Sequence, residues 1–402
     1  MTHNPSTRLH GLDALRGSAL LLGIFFHASL SFTPGDMYWF IVDQERSSLI
    51  YGAGFWSHMF RMSLFFLLAG YFARMQTHRL GTGRFIRDRL KRIGAPLLIF
   101  WLPLMIAFIA VGMWGTMVAN GGTLPEGPPP PPPTLETFPL THLWFLYMLL
   151  LFYAGALILR VVTSILKIGE PIGRLSDTAL RALSGYGLLP ALFGVIIGTT
   201  LINQAGWFPA GGIRTPDTGF IPNSGALVSY AIAFGFGWML QREEKLLARV
   251  TRHWVTYFAI ATGLTAYCLS VIGLQIQFTQ AIDPQTKTLF AIAYGMGIWF
   301  WTLGLTGLCM KIWAKESPVR RYIADSSYWL YIIHLPLVIA LQVWVSQWAL
   351  MAELKFLIIL GVSIPLMLLT YELLVRYTFL GSLLNGRKRV RQKTAKILEP
   401  AE

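Results

Sequence analysis

His27, His58, Arg61 and His142 stand in or beside long apolar runs of the sequence. A charge at the centre of a bilayer costs about 2.5–3.5 kcal/mol on insertion scales, so such residues need a partner, a wet cavity or a task. An imidazole titrates near neutral pH and can take a proton from a hydroxyl. An arginine beside it can hold an oxyanion or a carboxylate. Arg16 precedes His27 by eleven positions. Eleven helical steps of about 100° make three turns plus about 20°, which puts both residues on one helix face, about 16 Å apart. Asp13, three positions before Arg16, is either its ion-pair neighbour or a helix cap. His58 and Arg61 share a face at i,i+3.

Each of these residues also has a bland reading. Arg16 alone could be a snorkelling topology charge, and His27 alone a hydrogen-bonded core histidine. His142, with Trp144 and Tyr147, could be ordinary aromatic-belt chemistry. A local salt bridge for Arg61 would have only Asp36, Asp43 and Glu45 to draw on in the nearby loop. Four nitrogen-bearing side chains at one depth favour a polar pocket open to the outer side.

That pocket needs a membrane scaffold, and the composition supplies one. Of 402 residues, 54% are hydrophobic and 13% charged, against roughly 25% charged in soluble domains. The chain is expected to be an all-α polytopic membrane protein with about ten transmembrane helices. Its apolar runs lie near 15–33, 55–75, 93–118, 142–166, 183–202, 224–241, 254–274, 287–310, 327–348 and 354–376. The runs at 183–202 and 224–241 are short and Gly-rich, with room to tilt or re-enter. The first run carries His27 and no A-x-A cleavage site, which makes it a permanent span rather than a signal peptide.

The net charge of +14 reads as a topology signal, with no nucleic-acid partner expected. All but five of the 33 lysines and arginines fall in alternate loops. Arg46, Arg214, Lys287 and Lys355 fall in the intervening ones, and Arg61 lies inside a run. The positive-inside rule then places both termini in the cytoplasm.

The expected layout is a transmembrane domain over 1–380 with an outer Pro-rich loop at 119–141, followed by a basic cytoplasmic tail at 381–402. Six consecutive prolines at 128–133 form a stiff spacer, and the tail from Arg387 to Lys396 suits anionic headgroups. Cys268 and Cys309 fall near opposite ends of their helices, so no disulfide is expected between them. No zinc spacing is present, and no metal is expected.

A second cluster gathers on the cytoplasmic side: Asp13, Arg16, Arg89, Arg92, Asp325 and Glu372, with His334 somewhat deeper. It is either positive-inside loop charge or an anion site for a phosphorylated cofactor, since arginine presents a fork matched to phosphate.

Several blocks of sequence carry a resemblance. Arg16 and His27 lie in LDALRGSALLLGIFFHASLSF, a basic–x10–His pattern. HMFRMSLFFLLAGYF carries His58, Arg61 and Gly70, and RDRLKRIGAPLL carries an R-x-x-R pattern as Arg89 and Arg92 before Pro96. HLWFL at 142–146, SSYWLYIIHLPL at 326–337 and YELLVRYTFL at 371–380 follow in order. Together these resemble the bacterial membrane acyltransferase 3 family and, within it, the glucan-biosynthesis branch. That branch often has two adjacent histidines where this chain has His334 followed by Leu335.

The resemblance implies an inner-membrane O-acyltransferase. It would pass an acyl group, succinyl or acetyl, from cytosolic acyl-CoA (succinyl-CoA or acetyl-CoA) to a hydroxyl of a periplasmic or surface glycan. An osmoregulated periplasmic glucan is the acceptor implied by the branch. On that reading His27, Arg61 and His58 are the catalytic candidates. Arg16, Arg89, Arg92 and Asp13 would serve the acyl donor, and His142, Trp144 and His334 the acceptor. The rival from another class is a transporter or flippase for an anionic or sugar substrate, for which ten helices with buried Arg and His would also suit.

Overall fold

The computed structural model describes residues 10–37, 39–124, 127, 131–185 and 188–386. Arg8, prolines 128–130 of the proline tract and the basic stretch from Arg387 to Lys396 lie outside the described residues.

The described chain is helical. Its helices are α1 (His10–Ser29), α2 (Ser48–Leu80), α3 (Thr82–Arg89), α4 (Ala95–Ala119), α5 (Trp144–Ile165), α6 (Gly169–Gly185) and α7 (Leu189–Ile202). There follow α8 (Ser224–Arg242), α9 (Glu244–Arg252), α10 (Trp254–Ile272), α11 (Pro284–Ile312), α12 (Pro318–Ser346), α13 (Ala352–Thr370) and α14 (Phe379–Asn385). A π turn at Leu90–Gly94 joins α3 to α4, and another at Tyr371–Val375 extends α13.

Every apolar run expected from the sequence is met by a helix. Among the described residues, seven helical segments are long and apolar enough to cross a membrane. An eighth arises if α6 and α7, bent by 106° at their junction, count as one broken span. The protein is therefore polytopic. The run expected at 183–202 is corrected by this bend: its helix starts at Leu189 and has 14 residues. At 1.5 Å per residue that is about 21 Å, short of a bilayer core of about 30 Å.

α2 and α8 fall outside the seven because polar and small residues dilute their apolar character. They pack against each other along their length instead. A Cβ on Gly70 would lie 1.9 Å from the Phe234 carbonyl oxygen, and one on Gly237 equally close to that of Leu67. Only hydrogen in place of a side chain lets these two backbones approach so closely, the small-residue packing that membrane helices use in place of a hydrophobic drive.

α1, α2, α11 and α12 form the interior, and α4 and α13 lie toward its edge. Cys268 and Cys309 are buried and unbridged. The segment between α1 and α2 is pinned to α13 at two points. The Asp43 carboxylate accepts from Lys355 Nζ on α13 at 2.8 and 3.0 Å, with both side chains only 1% exposed. Beside it Ser47 Oγ donates to Glu353. Lys355 is thus no loop charge, as its place in the sequence suggests, but half of a sealed ion pair.

Candidate active site

One cavity of about 2230 Å³ runs through the helices, and every candidate residue lines it. At one end stand Asp13, Arg16, Arg89 and Arg92. At the other stand His27, His58, Arg61, His142, Trp144 and His334. Leu20 and Gly23 of α1 line the stretch between, one helical turn apart on the face that carries Arg16 and His27. The helical period is what makes this possible: a straight α1 keeps both residues on one wall of the passage.

At the arginine end the charges are partly neutralised. Arg16 donates to the Ala324 carbonyl on α12 at 2.9 Å and lies 3.6 Å from Asp13. Asp88 pairs with both Arg89 and Arg92, reaching Arg92 Nε at 2.8 Å. The Arg89 guanidinium also donates to Gln76 and lies over the Tyr153 ring, 5.7 Å from its centroid. Arg92 rests against Gly386 at the end of α14, where a Cβ would collide with the guanidinium. Arg376 lines the same end, held 2.7 Å from Glu372. The cluster expected from the sequence is therefore assembled here, with Asp88 in its midst.

The histidine end is built differently. The His334 ring sits between two others, its centroid 5.2 Å from that of His27 and 5.4 Å from that of His142. The sequence groups it with the cytoplasmic cluster, somewhat deeper, and the resemblance puts it with His142; the structure places it beside His142 and His27. His334 lies 16 residues into α12, about 24 Å from the helix start, which carries it to the depth of His27. His142 Nε2 is 2.9 Å from the Ile332 carbonyl, and His334 Nδ1 is 2.7 Å from that of Tyr331. The Tyr331 hydroxyl donates to the His142 carbonyl at 2.6 Å, tying α12 to the start of α5.

His58 stacks on Phe26, centroids 4.6 Å apart, and the Arg61 guanidinium lies over the same Phe26 ring at 4.4 Å. Arg61 is 4% exposed, and its Nη1 has no hydrogen-bond partner among the described residues. None of the three expected carboxylates reaches it. Asp43 is taken by Lys355, Asp36 accepts from the Phe278 amide, and Glu45 instead donates its own backbone N–H to Asp43. His27 Nδ1, His58 Nδ1 and His142 Nδ1 are also buried without a partner among the described residues.

Trp144 is 6% exposed and stacks on Tyr230, so it is a core aromatic lining the chamber, not a belt residue. Beyond the histidines the cavity reaches the segment between α7 and α8. There Asp217 faces Arg214, and partial desolvation pushes its carboxyl above the ordinary range against the pull of that arginine. Among the described residues no group of three or more His, Cys, Asp or Glu side chains could hold a metal ion.

A family model described as "Acyltransferase domain" matches residues 9–372. The chain belongs to the acyltransferase 3 family. Similar to it are the proteins named "Glucans biosynthesis protein C" of Salmonella paratyphi B (strain ATCC BAA-1250 / SPB7) and of Salmonella heidelberg (strain SL476). Each is 31% identical over 153 residues, 38% of this chain and 38% of the relative. The match thus spans well under half the length of these curated relatives. No solved structure matches the chain.

Sequence reasoning missed several groups in and around this cavity. Asp88 carried a readable signal, since it precedes Arg92 by four positions and shares its helix face. Tyr328 and Tyr331 lie in the block at 326–337 without being singled out by it, and Trp39 and Gln342 carried no signal, because their placement depends on how α12 packs.

Proposed function

We propose that this acyltransferase moves an acyl group, succinyl or acetyl, from cytosolic acyl-CoA to a hydroxyl of a periplasmic or surface glycan. An osmoregulated periplasmic glucan is the first acceptor to test, on the strength of the relatives' name. The observation that carries the reading is the single cavity that joins three arginines to three converging imidazoles. On this reading the protein lies in the inner membrane, with both termini in the cytoplasm. The arginine end would then face the donor and the histidine end the glycan.

The residues divide the work by their chemistry. Arg16, Arg89 and Arg92 present donor forks to the CoA phosphates. Asp13 orients Arg16, and Asp88 bridges the other two guanidiniums and offsets their repulsion. The passage past Leu20 and Gly23 takes the pantetheine arm and sets the thioester beside His27. His27 accepts the proton of a sugar hydroxyl as its oxygen attacks the thioester carbonyl. Arg61, which pairs with no carboxylate among the described residues, stabilises the oxyanion that forms, with His58 beside it. The oxyanion collapses, the C–S bond breaks, and the proton on His27 passes to the leaving thiolate. Transfer through an acyl-imidazole would use the same groups in two steps. His142, His334 and Trp144 line the side from which a sugar would approach.

Two measurements test this. Mass spectrometry of cell-envelope glycans with and without the protein is expected to show gain of succinate or acetate on one glycan. No change in any glycan would refute the acceptor class. Purified protein in lipid is expected to release free thiol from succinyl-CoA or acetyl-CoA when glycan is added. A transporter would leave both thioesters intact.

A further inference from the structure

We propose that Gln342 is a positioning residue for His27, with Trp39 as its second anchor; the inference rests on the acyl-transfer reading above. Gln342 sits on α12 with its side chain 1% exposed. Its Nε2 donates to the His27 carbonyl at 2.8 Å and to that of Ala28 at 3.3 Å, and its Oε1 accepts from Trp39 Nε1 at 2.9 Å.

The orientation of this amide is fixed by its partners. An indole N–H only donates and a carbonyl only accepts, so a flipped amide would face a donor with its donor and an acceptor with its acceptor. No other uncharged side chain pairs a two-hydrogen donor with an acceptor on a reach this long, save the shorter asparagine. The bond matters because of where His27 lies. It is in the last turn of α1, just before the chain tightens into a 3-10 turn at Leu30–Phe32. Carbonyls at a helix end lose their regular partners, and within a membrane no water replaces them. Gln342 supplies that partner and so fixes the backbone from which the imidazole projects.

Trp39 completes the arrangement. Its ring lies 5.9 Å from that of His27, in the segment between α1 and α2. That segment is pinned on its other side by the Asp43–Lys355 ion pair. One glutamine therefore ties three pieces together: the end of α1, the covering segment, and the helix that carries His334.

The test uses the full-length protein in lipid nanodiscs, with succinyl-CoA as donor and a periplasmic β-glucan as acceptor, following thiol release. Gln342→Met keeps the volume and removes every hydrogen bond. It is expected to lower kcat about ten-fold, the scale of a small misplacement of a reacting group, while KM for succinyl-CoA stays within about two-fold, because the arginine end is remote. Trp39→Phe keeps a ring and is expected to lower kcat about three-fold. The double variant should be no worse than Gln342→Met alone, since both act through one amide. Wild-type kcat in Gln342→Met, or losses that multiply in the double variant, would overturn the inference. So would a rise in KM equal to the fall in kcat. If Gln342→Met does not insert, Trp39→Phe alone decides through its kcat. His27→Ala in the same assay separates the two readings: wild-type turnover there would sink the acyl-transfer role of His27 itself. A dead His27→Ala beside an unimpaired Gln342→Met would sink only the positioning role.

Discussion

Two cations are sealed into the same half of this protein, and it treats them in opposite ways. Lys355 on α13 is closed over by Asp43 at 2.8 Å, with neither side chain accessible. Arg61 on α2 is nearly as buried, yet its neighbours are the Phe26 face and the phenols of Tyr230 and Tyr294, and Nη1 is left without a partner among the described residues. A buried charge with its counterion is a structural device whose removal from one side is costly. A buried charge facing a cavity without one is a cost the fold carries for something else. The difference separates a latch, which holds the segment between α1 and α2, from a cation left facing the cavity.

The comparison can be broken by substitutions that read stability and turnover separately. The largest effect is expected in the chamber: His27→Ala should lower thiol release from acyl-CoA by about 10²–10⁴-fold, with the thermal midpoint unchanged. Next, Lys355→Met should destabilise by about 3–5 kcal/mol, because it leaves the Asp43 carboxylate buried and alone. Any protein that still folds should keep its turnover within about three-fold, the loss expected when the Trp39 anchor loosens. Arg61→Met should do the reverse, with turnover down by about 10²-fold and the thermal midpoint unchanged or raised. If Arg61→Met unfolds the protein as Lys355→Met does, the distinction between latch and chamber is lost.

The smallest effect is expected at the rim. Asp217 is solvent-exposed, but partial desolvation at the cavity mouth raises its carboxyl, so ionising it opposes folding weakly. Asp217→Asn should raise the thermal midpoint slightly at neutral pH. The gain should fade as pH falls through the raised value and vanish below the ordinary carboxylate range near 4. A gain that persists in acid would assign the effect to packing.

How far the sequence reached depends on the range of the interaction. Arg16 and His27 belong to one straight helix, and its period places them on a common wall without any knowledge of neighbours. The same reasoning could have found Asp88 under Arg92. The depth of His334 is harder to read, because it depends on α12 beginning at Pro318, nine residues before the apolar run becomes obvious. Lys355 passed for a loop charge, since nothing local announces that Asp43 will close over it. For Trp144 the sequence leaves belt and pocket both open, because aromatic residues near a helix end fit either pattern equally well. Gln342 was silent, its partners being more than three hundred residues away in the chain. The family blocks, by contrast, were legible because they lie along the lining helices themselves.

The central claim is that the acyl donor reaches His27 along the face of α1. Gly23 offers the most direct test. It lies on that face, and a Cβ added there meets only Arg61 Cδ, at 3.8 Å, so a larger side chain would project into the passage and not into packed backbone. Gly23→Phe is expected to abolish thiol release to the level of His27→Ala while acyl-CoA still binds at the arginine end. Turnover at the wild-type rate with the passage plugged would contradict the account.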